Sequence, residues 1–137
     1  MVDRKLKSRG EAHITVITPP EFDVLKTKIT PSRIHTLASV FLQKEIVIQH
    51  VCLGESDKKI KDKIEKVFYV VITSPELLRL RHALADEGHL SKNEFNPEVF
   101  FPHITIGFTE RDLYYEDGII KNKDSCPGNL QNLLVIK

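Results

Sequence analysis

The order of hydrophobic and polar positions predicts a chain of mixed strands and helices. Alternating or dense Ile and Val residues predict strands at residues 11–18, 45–53, 67–73, 100–108 and 133–136. Helical spacing of apolar residues predicts two helices, each opening on a hydroxyl N-cap followed by proline, at Thr30-Pro31 and Ser74-Pro75. The polar residues 54–66 between two strands predict an exposed hairpin connection.

Each predicted helix carries one apolar stripe that we expect to be buried. In the first helix the stripe consists of Ile34, Leu37, Ala38, Phe41 and Leu42. In the second it consists of Leu77, Leu80 and Leu84, and Gly88 is the predicted C-terminal stop. This order of elements predicts an α+β domain with helices outside a mainly antiparallel sheet.

Length and charge favour one modest domain. With 137 residues and 41% hydrophobic content, residues 1–137 are expected to form a single domain preceded by a flexible basic arm at residues 1–9. Twenty Lys and Arg against nineteen Asp and Glu leave a net charge of +1, which argues against a protein that coats duplex DNA. Within the arm, Arg9 lies four residues before His13, so its side chain can reach the same face and meet a phosphate.

Two further features bear on location. No run approaches the roughly 18 apolar residues of a membrane span, and charge follows Met1, so a cytoplasmic protein without membrane contact is expected. The two cysteines, Cys52 and Cys126, form neither a disulfide framework nor a metal-ligand spacing, and we expect reduced thiols.

One four-residue pattern occurs twice, at His13-Ile14-Thr15-Val16 and His103-Ile104-Thr105-Ile106. In a strand, His and Thr two residues apart share one face, while the Ile between them is expected to point into the core. If the two strands lie side by side, the chain presents two imidazoles and two hydroxyls together. Two unrelated strands with exposed His and Thr are the alternative.

Such a site suits the hydrolysis of a phosphodiester. One histidine can act as base and the other as acid, and with ordinary pKa values of about 6.5 neither needs a large shift. The threonines can donate to the non-bridging oxygens. Alternation puts Phe101 on the same face, where it can stack on a base. Lesser candidates are Tyr69, His50, Tyr114 and Tyr115, whereas surface or cap positions explain His35, His82 and His89.

The paired motifs resemble those of the 2H phosphoesterase superfamily, which includes 2′,3′-cyclic phosphodiesterases and 2′,5′-RNA ligase-like proteins. Residues 13–21 further resemble the subgroup called Swiss Army Knife RNA repair-like proteins. The resemblance implies a bilobal fold, with two mainly antiparallel sheets flanking a groove. It also implies that His13 and His103 are catalytic and that Thr15 and Thr105 bind the phosphate.

The expected function is therefore a metal-independent, cofactor-free hydrolysis. We expect a monomer that acts on a nucleotide or an RNA end carrying a 2′,3′-cyclic phosphate. A metal site is one rival, although neither motif places a carboxylate or cysteine at ligand spacing. The other rival is a catalytically silent module that holds a terminal phosphate. The sequence leaves open which histidine is the acid.

Overall fold

The computed structural model describes residues 6–8 and 10–127. These residues form an α+β structure, as predicted, with one three-stranded antiparallel sheet and three helices. No helix in the described ranges is long and apolar enough to cross a membrane. The elements are α1 (Pro19–Leu25), α2 (Pro31–Leu42), β1 (Gln49–Ile60), β2 (Lys63–Thr73), α3 (Pro75–Glu87) and β3 (His103–Phe108), followed by 3-10 turns at Tyr115–Asp117 and Lys123–Ser125.

The chain divides into two compact units built from alternating segments. Unit 1 comprises the described residues up to Ile14, then Gln49–Thr73, then the described residues from Phe101 onward. Unit 2 comprises Thr15–Ile48 and Ser74–Phe100. Unit 1 holds the sheet and unit 2 holds all three helices. The predicted pair of sheets flanking a groove is not confirmed, because the described residues contain one sheet.

The sheet of unit 1 has the order β1-β2-β3, with both pairs antiparallel. Its β1–β2 hairpin closes on Lys61 and Asp62, whose positive φ angles of 50° and 67° suit a tight two-residue turn. The hairpin predicted at residues 54–66 is present, but its connection is two residues long, so the prediction was wrong for the length of the connection. Polar and charged residues dominate both strands here, and opposite charges such as Lys58 and Glu65 are paired across the ladder, so no apolar alternation marks the strands.

The core of unit 1 lies on one face of the sheet and is covered by the segment after β3. Its buried members are Cys52, Val67, Tyr69, Val71, Leu113 and Cys126. Cys52 in β1 and Cys126 after the second 3-10 turn form a disulfide, so the prediction of two reduced thiols was wrong. The two residues are 74 positions apart, and only the folded path of the last segment brings them together.

Helices α2 and α3 of unit 2 begin where the sequence predicts, whereas α1 was not predicted. Thr30 and Ser74 cap α2 and α3 through their side chains, and the prolines occupy the first turns. The leucine stripe of α3 is buried as predicted, whereas α2 has no fully buried residue and its Leu42 is 58% exposed. The stripe prediction was therefore wrong for Leu42, which follows Phe41 on the last turn. The other stripe residues of α2 pack against a core of Leu25, Ile29, Leu80, Leu84, Ala85 and Phe95.

A buried arginine on α3 fixes the loops of unit 2. Arg81 is 1% exposed and pairs with Glu21 through two bonds of 2.9 and 2.7 Å. Burial alone would raise the pKa of the Glu21 carboxyl, but hydrogen bonds from Arg81 and Thr18 and the charge of Arg81 hold it below 4.5. The guanidinium also donates to the carbonyls of Val16, Asn96, Pro97 and Val99.

The predicted first strand at residues 11–18 was wrong. Residues 6–8 and 10–14 meet β3 only at two isolated bridges, Lys7 with Phe108 and Ile14 with Ile104. Thr18 instead caps α1, whose first residue is Pro19. Lys7 exchanges two backbone hydrogen bonds of 2.7 and 2.9 Å with Phe108, so the basic segment is paired at this point. The predicted strand at 133–136 and residues Arg4, Lys5 and Arg9 lie outside the described residues.

Candidate functional site

The two repeated motifs are joined at their centres. Ile14 forms an antiparallel bridge with Ile104, and each is the second residue of its motif. In antiparallel pairing the residue before one partner lies opposite the residue after the other, so His13 lies beside Thr105. His13 is exposed, and its Nδ1 is 3.3 Å from the carbonyl oxygen of Glu11. The expectation that the motifs lie side by side therefore holds at this bridge.

A cavity of about 250 Å³ opens between the two bridges. The N-terminal segment advances seven residues from Lys7 to Ile14, whereas β3 advances four from Ile104 to Phe108. Gly10, at φ 90°, lies in this longer segment. Ser8, residues 10–13 and residues 104–106 line the cavity, so His13 and Thr105 both border it.

β3 presents its motif to the covered face of the sheet. His103 pairs with Val71 and Thr105 with Tyr69 of β2, and both motif residues are half-buried. The Ile residues between His and Thr were expected to point into the core, and this was wrong. The core cluster instead lies on the His and Thr face, because the segment after β3 covers that side, and neither Ile14 nor Ile104 belongs to it.

The ring of His103 is held in one orientation. Its Nδ1 lies 2.8 Å from the carbonyl oxygen of Phe101, and because a carbonyl only accepts, Nδ1 carries the proton. Nε2 is then the nitrogen with a free lone pair, and the ammonium of Lys121 lies 3.4 Å from it. The edge of the Tyr69 ring completes the surroundings, with ring centroids 5.7 Å apart.

These surroundings favour the neutral imidazole. Burial is the largest cause that lowers the pKa of His103 below 6.5, and the charges of Lys121 and His13 lower it further. The Phe101 carbonyl and the carboxylate of Asp112 act in the opposite direction without reversing the shift. The influence of His13 means that the structure brings the two motif histidines within electrostatic reach. The scheme requires no large shift, and the pKa of His103 departs from its ordinary value in the direction that favours the neutral ring.

Sequence reasoning missed a buried ion pair beside His103. Lys121 and Asp112 are 4% and 5% exposed, and Nζ lies 3.3 Å from Oδ1. Lys121 also faces the rings of Tyr69 and Tyr114, at 5.4 and 6.0 Å from their centroids. Asp112 accepts a further bond of 2.7 Å from the backbone N–H of Leu113. Neither residue lies in a sequence motif. They lie beside His103 only because the segment after β3 covers this face of the sheet.

A glycine on β1 makes room for the tyrosine between these groups. Gly54 pairs with Tyr69 across the ladder, and a Cβ at this position would overlap the Tyr69 ring. The phenol oxygen reaches Ser56 Oγ at 2.6 Å. Gly54 therefore lets the Tyr69 ring lie flat over β1, where it packs against both His103 and Lys121.

The remaining predicted site residues have other surroundings. Phe101 stacks on Tyr115, with centroids 5.9 Å apart and planes at 23°. Thr15 is exposed and is the first residue of unit 2. Arg9 lies outside the described residues, so its phosphate-binding role stays a prediction. Among the histidines outside the motifs, His82 pairs with Glu98 at 2.9 Å.

No group of three or more His, Cys, Asp or Glu side chains within residues 6–8 and 10–127 is arranged to hold a metal ion. Comparison with models of protein families gives a match over residues 2–114 to the family described as Swiss Army Knife, 2H phosphoesterase domain. The match spans both motifs and ends near the segment that covers His103. Neither a curated protein nor a solved structure matches the chain.

Proposed function

Because the chain belongs to the Swiss Army Knife family of 2H phosphoesterase domains, we propose that it hydrolyses a cyclic phosphodiester. The proposed substrate is a 2′,3′-cyclic phosphate on a nucleotide or an RNA end. One observation carries the proposal. The bridge between Ile14 and Ile104 brings His13 beside the second motif within unit 1, and the charge of His13 contributes to the lowered pKa of His103.

The different surroundings of the histidines support separate roles. His103 is half-buried, its pKa is lowered, and its lone pair lies on Nε2, so it is suited to accept a proton at neutral pH. His13 is exposed on the cavity wall and takes the role of acid when protonated. In this scheme His103 removes a proton from water as the oxygen attacks phosphorus. His13 gives a proton to the ribose oxygen as the P–O bond breaks.

The threonines take the role of oxyanion donors. Thr105 shares the cavity wall with His13, so a phosphoryl group there lies within reach of an O–H donor. Such donors matter because charge grows on the non-bridging oxygens during the attack. Thr15 has the same position in its own motif and is proposed for the same role on that basis. Phe101, stacked on the exposed Tyr115, is the proposed contact for the nucleobase.

Turnover of a 2′,3′-cyclic nucleotide and of a short RNA with a cyclic phosphate end tests this function. We expect His13→Ala and His103→Ala each to lose on the order of 10²–10⁴ in kcat while remaining folded. His35→Ala is the matched control, because this exposed histidine of α2 has no proposed role, and it is expected to keep wild-type turnover. Losing both histidines is expected to cost much less than the product of the single losses.

The same assay tests the chemistry. Acid and base come from two imidazoles in this scheme, so we expect turnover to persist in EDTA. Abolition by EDTA with recovery in zinc or manganese would contradict the scheme. Binding of the cyclic phosphate without any turnover, by folded wild-type protein, would favour a silent phosphate-binding module instead. Wild-type turnover by either folded histidine variant would rule out the two-histidine mechanism.

A further inference from the structure

The buried pair of Lys121 and Asp112 takes no part in the proposed proton transfers, yet it lies against His103, the proposed base. Lys121 Nζ is 3.4 Å from His103 Nε2 and 3.3 Å from Asp112 Oδ1. Burying an ammonium is costly unless a partner compensates it, and Asp112 supplies that compensation. Packing alone does not require a charged pair at this depth, since nonpolar side chains could fill the same core.

We propose that Lys121, held by Asp112, is a positioning residue that keeps His103 in its proton-accepting form. This rests on the proposed function, in which His103 is the base. The ammonium has three N–H groups and no lone pair, so it can only donate, and its contact requires that Nε2 be unprotonated. Together with the Phe101 carbonyl at Nδ1, it selects one tautomer and one ring orientation.

The long contact to Nε2 is suited to exchange. At 3.4 Å between the nitrogen atoms, this contact is longer than a typical hydrogen bond. Water or substrate can therefore replace the ammonium at Nε2, while Asp112 continues to hold Lys121. After His103 accepts a proton, its positive charge faces the ammonium. That repulsion favours return of the proton, which resets the base for the next turnover.

Charged or titratable side chains face His103 from several elements. Lys121 and Asp112 come from the segment after β3, His13 comes from the N-terminal segment, and Tyr69 comes from β2. Positive charge from Lys121 and His13 opposes protonation, and negative charge from Asp112 favours it. Removing Lys121 and removing Asp112 must therefore move the His103 titration in opposite directions. Packing without charge would not produce opposite shifts.

Titration of the His103 ring by two-dimensional NMR tests the proposal, with the signal identified through His103→Gln. We expect Lys121→Met to raise the pKa of His103 and Asp112→Asn to lower it. Lys121→Arg keeps the positive charge and is expected to keep the pKa below its ordinary value. Lys123→Met, an exposed lysine on the neighbouring 3-10 turn, is the matched control and is expected to change nothing.

Kinetics add a second measurement. In the plot of kcat/KM against pH, the acid limb of Lys121→Met is expected to move to higher pH. The variant is expected to change kcat more than KM. If Lys121→Met does not fold, Lys121→Arg, Asp112→Asn and the double variant Lys121→Met/Asp112→Asn keep the test decisive. An unchanged His103 titration in folded Asp112→Asn, or shifts of one sign in both single variants, would overturn the proposal.

The two proposals fail in distinguishable ways. The titration needs no substrate, so opposite shifts in an inactive protein would uphold the Lys121 role in positioning the ring and contradict the hydrolase. Normal turnover with an unaltered titration in Lys121→Met would uphold the hydrolase and contradict the role of the pair.

Discussion

At the residue scale, two motifs of the same pattern meet different surroundings. His13 is exposed beside a cavity, whereas His103 is half-buried under Tyr69 and Lys121. The sequence pattern treats the two as equivalent. Burial and neighbouring charge favour the neutral form of His103, which is the form that can accept a proton, and this supports its assignment as the base.

The lowered pKa of His103 also makes stability depend on pH. An unfolded histidine titrates near 6.5, and the folded His103 titrates below that value. Between these two values the unfolded chain binds the proton and the folded chain does not, so stability falls as pH is lowered through this window. We expect urea unfolding from pH 8 to pH 5 to show a shallower loss of stability in His103→Gln than in wild type.

His35→Gln serves as the control for this titration, since the residue is exposed on α2. It is expected to leave the pH dependence as in wild type. If His103→Gln showed the same slope as wild type through the whole window, the burial of a neutral His103 would be contradicted.

At the element scale, α3 organises unit 2 through a polar residue on its buried side. Arg81 is sandwiched between the rings of Phe95 and Phe100, at 4.8 and 4.9 Å, while its donors reach Glu21 and loop carbonyls. The helix therefore fixes both the start of α1 and the segment after itself. Leucine spacing predicts the buried side of α3 but does not mark an arginine among its members.

We expect Arg81→Met to destabilise the protein by about 3 kcal/mol, because it leaves Glu21 and several carbonyls without their donor. Chemical denaturation measures the loss. Arg79→Met, an exposed arginine on the same helix, is the matched control and is expected to change stability by less than about 0.5 kcal/mol. Equal effects from the two variants would contradict a specific role for Arg81.

The sequence predicts much of the fold and part of the site. Helix starts at Thr30 and Ser74 follow local capping rules, so they could be read directly. The first motif looks like a strand because alternation is the same whether a segment pairs along its length or at one bridge, as Ile14 does. Lys121 and the Cys52–Cys126 disulfide depend on a long return of the chain, which no local pattern records.

At the scale of the whole molecule, the disulfide ties the final segment to β1 across 74 residues. Closing a loop of this length restricts the unfolded chain, which is worth about 4 kcal/mol in the chain-entropy description. We expect reduction to lower stability by that order in urea unfolding, and mass analysis under non-reducing denaturation to find neither thiol free. In Cys52→Ala/Cys126→Ala the reductant is expected to have no effect. Two alkylatable thiols in protein purified without reductant would contradict the bond.

The alternation of chain segments between the units has a consequence for synthesis. Every residue of the unit 2 core lies between Val16 and Phe95, so a growing polypeptide contains that core before Leu113 and Cys126 of unit 1 have been translated. Unit 1 must wait for the last segment, although it includes the first described residues of the chain. The unit 2 helices are therefore synthesised in full before β3 is covered, and His103, the proposed base, acquires Lys121 and Asp112 as neighbours last.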